Sequence, residues 1–273
     1  MKPGLKRERR FSMVKKLGIV ARLFSAEPGL VDKNVKMMLK LIEAFALVKK
    51  THSEIAVLDI VIPTNPDFVD VDCGKTEQAL WDAVGEVDWI RISTTQCGLF
   101  CGLLNETMTK QRDEGCTHSL VVSSGCADYV TDANIANLVA AAEAGALVTG
   151  LALNELHDSI MAGRIPNTFA VWRLEELFGV GGFDLRMENA LRAKPTKLTG
   201  VEEMIPQLKL VRQHGKCLMP IEPVSAAVWN APTDAAGAQR HKDKMGSKLV
   251  RQEYAVNLEG GTLDEIRAGV MNN

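Results

Sequence analysis

The sequence predicts an α/β fold: a single domain built on a mostly parallel central sheet, with helices covering both faces. Two observations carry this expectation. Extended apolar runs alternate with helical periodicities at least four times between Leu17 and Leu151, which is the pattern of right-handed strand–helix–strand crossovers. The chain has 273 residues, 46% of them hydrophobic and 24% charged, which is enough apolar material to bury a large core and too much for a disordered chain.

Each element has its own local signal. Leu17–Phe24 reads as the first strand and is followed by the loop Ser25–Gly29. A helix fits residues 32–49, where Val35, Met38, Leu39, Ile42, Phe45 and Ala46 form one apolar stripe. Glu54–Ile62 is a second strand, stopped by Pro63-Thr64-Asn65-Pro66. A short helix over Thr76–Val84 precedes a third strand over Asp88–Ser93. Gly98–Glu114 is helical, with Gly115 at the position after its end. Ser119–Ser123 is the next strand and runs into the small-residue turn Ser124-Gly125-Cys126-Ala127. Asp132 is placed to cap a helix over Ala133–Ala144, and Ala146–Leu151 begins another strand. Sheets of this kind bind ligands beyond the carboxyl ends of their strands, here the loops after residues 24, 62, 93 and 123.

The second half is less regular. Asn167–Trp172 is extended, Arg173–Phe178 helical, and Gly179–Gly182 a glycine-rich turn. Val201–His214 is a helix ending at Gly215, followed by a short strand, Lys216–Ile221. Residues 230–252 are polar and without period. The expected organisation is therefore a basic arm over 1–15, one domain over 16–229, and a C-terminal lid or tail over 230–273.

Charge and cysteine usage narrow the function classes. Residues 1–16 hold seven Lys or Arg and one Glu, whereas the remainder is acidic, so no specific nucleic-acid role is expected. No run of 18 apolar residues free of charge exists, which argues against a spanning helix. The start MKPGLKRERR leads into a segment broken by Lys15, Lys16 and Arg22, unlike a secretory signal. The six cysteines form no CxxC pair, and reduced thiols in a cytoplasmic setting are the expectation. The five histidines have no cluster spacing; His52 and His118 precede strands, where a surface position is expected. GxGxxG after the first strand, GxxxxGK[ST], HExxH and GxSxG are all missing, so neither a dinucleotide enzyme nor a P-loop ATPase is indicated.

The order of the pieces is informative. Gly98…Asn105 ahead of the strand at 119–123, the run NTFAVWRLEELFGVGGFD, and then GVEEMIPQLKLVRQHGKCLMPI together resemble the family 2 type of glycosyltransferase over about residues 16–222. The resemblance implies a GT-A fold, a nucleotide-sugar donor, an acceptor of unknown identity, and transfer with inversion. Glu203 falls where the family has the second acid of its acidic pair, the general base, with Glu202 as the alternative. A carboxylate in the first turn of a helix can be held by free backbone N–H groups, and one base is needed opposite the leaving phosphate. An ordinary acidic pair favoured by the helix dipole is the competing reading.

The same resemblance draws Arg22, Asp67, Asn105, Ser123, Gly125, Gly182 and Asp184 into a nucleotide-sugar site. Gly181-Gly182-Phe183-Asp184 corresponds to a pocket-lining turn and equally suits a turn that ends a helix over a buried Phe183. Trp172 is either a pocket wall or core, and Asp59 is an alternative to Asp67 at the nucleobase. Where the family carries Asp-x-Asp for Mg2+ or Mn2+, this chain has Ser123-Ser124-Gly125-Cys126-Ala127. Asp128 is the nearest candidate metal ligand, no cofactor is certain, and metal dependence is expected to be weak or absent. Arg22 offers a phosphate-binding fork in place of the ion, or is a surface cation. A non-catalytic binding or assembly module of the same fold is the alternative function. Association into a homo-oligomer is left open.

Overall fold

The computed structural model describes residues 13–23, 31–64, 73–96, 100–153, 164–187, 201–224, 239 and 248–271. Its strands and helices alternate as expected: β1 (Leu17–Arg22), α1 (Val31–Val48), β2 (Ile55–Pro63), α2 (Cys73–Val84), β3 (Ile90–Thr95), α3 (Cys101–Asp113) and β4 (His118–Ser123). A 3-10 turn (Ser124–Tyr129) then leads to α4 (Asp132–Glu143), β5 (Val148–Leu151) and β6 (Phe169–Arg173). The chain continues with α5 (Leu174–Gly179), α6 (Met204–His214), β7 (Leu218–Ile221), α7 (Lys248–Asn257) and α8 (Leu263–Ala268).

The seven strands form one sheet in the order β3-β2-β1-β4-β6-β5-β7. Pairings β1–β2, β2–β3, β1–β4 and β5–β7 are parallel, and only β6 runs against its neighbours β4 and β5. The four strands expected to be neighbours, near residues 17–24, 55–62, 88–93 and 119–123, do lie side by side.

Alternation along each strand divides the core in two, since successive side chains point to opposite faces. Ile19, Ala21, Leu58, Ile60, Leu120 and Val122 face α1 and α4, where Met38, Leu41, Phe45, Ile135 and Leu138 are buried. Val20, Val57, Val61, Val121, Ala170 and Trp172 face the other way, toward α3, α5 and α6. Sequence periodicity put Leu39 and Ala46 on the α1 stripe, but both are half-buried while Leu41 is fully buried. The helix packs against the turn after β4 as well as the sheet, which rotates its buried face. Thr131, not Asp132, caps α4: its Oγ1 accepts from the Asn134 N–H at 3.2 Å.

The C-terminal part of the segment expected to form a lid or tail instead completes the second core. Ala255 and Val256 of α7 and Ile266 of α8 are buried there with Leu208 of α6. Their polar neighbours hid this role, because a helix that buries one narrow stripe needs few apolar residues. Among the described residues no helix is long and apolar enough to cross a membrane.

A polar streak crosses the second face beneath α3. Asp59, an alternative nucleobase contact on sequence grounds, is buried in mid-strand and accepts from Arg91 Nε at 2.6 Å and Nη2 at 2.8 Å. Gln111 Nε2 donates to Asp59 Oδ2 at 2.7 Å, and Ser119 Oγ donates to Gln111 Oε1 at 2.6 Å. Gln111 reaches this position only because residue 18 is glycine: a Cβ there would lie 2.3 Å from Gln111 Oε1. The carboxylate therefore closes a structural network and does not face the carboxyl edge.

His118, expected at the surface, is the first residue of β4 and wholly buried. Its Nδ1 lies 3.0 Å from Thr117 Oγ1, while Nε2 has no hydrogen-bond partner among the described residues. Burial, and secondarily the charge of Arg173, pulls its pKa down to about 4. In the unfolded chain the imidazole takes up its proton near the ordinary value of about 6.5. As pH falls through that value the unfolded state binds the proton first, so stability drops, and the loss levels off only below about 4. Stability is expected to be about 1.3 kcal/mol lower at about pH 5.5 than at about pH 7.5 from this group alone. Urea unfolding of the wild type and of His118→Asn at both pH values isolates it; equal pH dependence in the two proteins would show that His118 contributes nothing.

Candidate functional site at the carboxyl edge of the sheet

Strand order reverses direction at β1, which has β2 on one side and β4 on the other, and such reversal points open crevices at the carboxyl ends of the strands. Arg22 ends β1 and is the register partner of Ser123, which ends β4. Both lie on the face that carries Val20 and Val121, so their side chains stand next to each other across one strand spacing. The Arg22 guanidinium sits 4.0 Å above the Phe100 ring centroid, a cation–π contact that orients its plane.

The turn after β4 is short of charge. Ser123 and Ser124 are half-buried, Gly125 and Asp128 exposed, and Cys126 buried. Cys126 Sγ lies 3.6 Å from the Thr168 carbonyl oxygen, to which it donates, and burial pushes its pKa up to about 12, so it is a neutral thiol. Hard divalent cations take several charged or carbonyl oxygens. Among the described residues no group of three His, Cys, Asp or Glu side chains can hold an ion. Asp128 is the turn's single carboxylate, and the described residues of this turn do not fit Mg2+ or Mn2+.

The second cluster at this edge is built around the start of α6. Pro206 occupies the first turn of that helix, where its missing N–H is no loss. Glu203 is at the cap position, but its side chain makes no capping bond. It pairs instead with Arg164 Nη1, and Arg164 and Glu203 are 1% and 2% exposed. With the Gln252 amide oxygen turned toward it, the guanidinium also donates to Gln252 from Nε at 2.8 Å and Nη1 at 3.2 Å. Gln207 ties the same strand of chain to α6, its Oε1 accepting from the Ile165 N–H at 2.9 Å. Burial pulls the Arg164 pKa down, opposed by Glu203 and Glu202. Arg251, also buried, is pulled down by burial and by Arg164, with the same two glutamates opposing. Glu202 is 7% exposed, and its Oε2 has no hydrogen-bond partner among the described residues.

Glu202 and Glu203 do stand at a helix start, the helix beginning at Met204. The Glu203 side chain makes no capping hydrogen bond to the helix, and a buried arginine pairs with it. Arg164 thus engages Glu203, whereas Glu202 keeps one carboxylate oxygen without a hydrogen-bond partner among the described residues. Arg164, Arg251 and Gln252 were missed from sequence. They lie dozens of residues from the acids they serve, so no local spacing signals them.

Asn105, Gly182 and Asp184 come together, but not with Arg22 and Ser123. Asn105 Nδ2 donates to the Phe183 carbonyl, and the Phe183 N–H donates to Asn105 Oδ1, both at 2.8 Å. Gly182 has φ of +70°, and a Cβ there would lie 2.6 Å from Asn105 Oδ1, so the turn needs glycine twice over. Phe183 stacks edge-on to the buried Trp172 at 5.1 Å, which makes Trp172 core. The ladder partners of Trp172 are Ser119 and Val148, toward the amino ends of their strands and away from the ligand edge. Asp184 accepts from Arg186, whose hydrogen bond holds its carboxyl below the usual range. An open groove of about 400 Å³ lined by Gly179, Val180, Lys209, Arg212 and Gln213 adjoins this turn, again away from the ligand edge. Asp67 lies outside the described residues.

No protein-family model matches the sequence, and no curated protein matches it either. Solved structures do match. A mannosyltransferase from Pyrobaculum calidifontis, in complex with GDP-Man and Mn2+, superposes with a TM-score of 0.59 at 9% identity, over 95% of this chain and 69% of that one. A 4-diphosphocytidyl-2C-methyl-D-erythritol synthase from Anaerococcus prevotii gives 0.47 at 10% identity, over 84% and 96% of the two chains. A cytidylyltransferase from Leptospira borgpetersenii gives 0.48 at 9%, over 96% and 100%. With its reversed β6 inside an otherwise parallel seven-stranded sheet, the chain has a GT-A-like fold, matching that of the mannosyltransferase.

Proposed function

We propose that this chain binds a nucleotide-activated sugar at the carboxyl edge of its sheet and transfers the sugar to an acceptor hydroxyl with inversion, as a glycosyltransferase of the family 2 type. The observation that supports this most is Arg22 standing beside Ser123 at the reversal point, and the Glu202–Glu203 pair at the start of α6 adds to it. The mannosyltransferase with which the fold is shared was solved with a nucleotide sugar bound. In this reading Glu202 accepts the acceptor's hydroxyl proton. The acceptor oxygen forms its bond to the anomeric carbon as the bond from that carbon to the phosphate oxygen breaks on the opposite face, and the nucleoside diphosphate departs. Glu203 anchors the helix start through Arg164. Dependence on a divalent ion is weak or absent, since the turn after β4 supplies too few charged oxygens.

A non-catalytic module of the same fold is the second reading. It is favoured by one feature, the locking of Glu203 by Arg164 at the position expected for a base. Calorimetry with a panel of GDP and UDP sugars, run beside an assay for released nucleoside diphosphate, separates the two. Micromolar binding with release over the uncatalysed rate is the expected result. Binding without release selects the module, and the lack of binding to every donor defeats the nucleotide-sugar reading itself.

A further inference from the structure

We propose that Arg22, together with the hydroxyl of Ser123, binds the diphosphate of the donor directly and supplies the positive charge that a divalent cation would otherwise bring. This rests on the nucleotide-sugar reading and concerns the phosphate part of the same edge. A diphosphate leaving group carries at least two negative charges and needs them countered as its bond to the sugar lengthens. The turn after β4, beside the strand reversal, does not provide a cation site: its side chains are two hydroxyls, a buried neutral thiol and one exposed carboxylate.

What the reversal point does provide is a guanidinium. Arg22 is the last residue of β1, half-buried and in register with Ser123 on the adjoining parallel strand. The two side chains share a face at a strand spacing of about 4.8 Å, within reach of two oxygens of one diphosphate. A planar fork of N–H donors matches phosphate oxygens in pairs, which a lysine ammonium cannot do. The Phe100 ring, 4.0 Å beneath the guanidinium, sets the plane of that fork.

The test is calorimetry on the full chain with inorganic pyrophosphate, GDP and UDP as separate probes, each in EDTA and in Mn2+. Binding in EDTA is expected, with affinity changed less than about threefold by Mn2+. Arg22→Met is expected to weaken it by about 10- to 100-fold, the range for a lost charge-assisted contact. Arg22→Lys, which keeps the charge and loses the fork, should fall between. Ser123→Ala removes only a hydroxyl, so it reports on the site even if the arginine variants fold poorly; a loss of about three- to tenfold is expected. Binding that appears only with Mn2+, or that is unaffected by Arg22→Met and Ser123→Ala, overturns the proposal while leaving the nucleotide-sugar reading intact. Metal-free pyrophosphate binding that requires Arg22, with no gain for either nucleotide, upholds the anion site and defeats the nucleotide-sugar reading. Failure of all three probes defeats both.

Discussion

Replacing Arg164 by methionine is expected to destabilise the chain by about 3–5 kcal/mol, the effect of leaving one buried charge without its partner. Arg164 and Glu203 are both almost completely excluded from solvent and bonded to each other, and Gln252 accepts from the same guanidinium. Methionine keeps most of the side-chain volume, so the loss is electrostatic rather than a cavity. The Glu203 carboxylate then either stays charged with its direct partner gone and only the charge of nearby Arg251 to offset it, or takes a proton, and both lower stability relative to the unfolded chain. The double variant Arg164→Met with Glu203→Gln removes the stranded charge and should recover a large part of the loss. Urea midpoints at constant m-value measure each corner of that cycle. A single variant within about 1 kcal/mol of wild type would mean the pair is solvated and not structural.

On the proposed function, turnover should respond most strongly to Glu202→Gln. The amide keeps the shape and hydrogen-bonding reach of the carboxylate but cannot accept the acceptor's proton, so kcat is expected to fall by about 10²–10⁴-fold. Donor affinity should hold, because a base contributes chiefly in the transition state. Glu203→Gln is the informative contrast. It loosens the Arg164 pair, so its signature is reduced stability, with turnover falling only as far as the helix start is displaced. Kinetics and direct donor binding on both variants, beside their melting temperatures, separate the roles. Full turnover in Glu202→Gln with a large loss in Glu203→Gln at wild-type stability would reverse the assignment.

The sequence was a good guide wherever a signal was local. The stripe on α1, the breaker at Pro63–Pro66, the short apolar runs and the glycines after α3 and α4 each declare an element by the period or conformation of adjacent residues. It was a poor guide to side chains that act across the fold. His118 was read as exposed because it precedes an apolar run, yet the ladder draws it in as the first residue of β4. Asp132 looked like a cap because carboxylates favour helix starts, yet Thr131 one residue earlier has the extended backbone that capping needs. The glycine turn was legible as a turn, but Asn105 as the clamp that holds it was not, since the two are 78 positions apart.

The amino-acid sequence by itself determined the fold class, the four adjacent strands, and the helix start that carries two glutamates, because these follow from periodicities of two and 3.6 residues and from turn chemistry. Tertiary structure alone decided the direction of β6, since an extended apolar run reads the same both ways until its neighbours are known. It also decided which acid Arg164 pairs with. Arg164 and Glu203 are 39 positions apart, and Gln252 is farther still. Their pairing depends on the segment ahead of β6, α6 and α7 meeting where side chains are buried, and there a charge must have a partner whose identity is a matter of position, not of sequence.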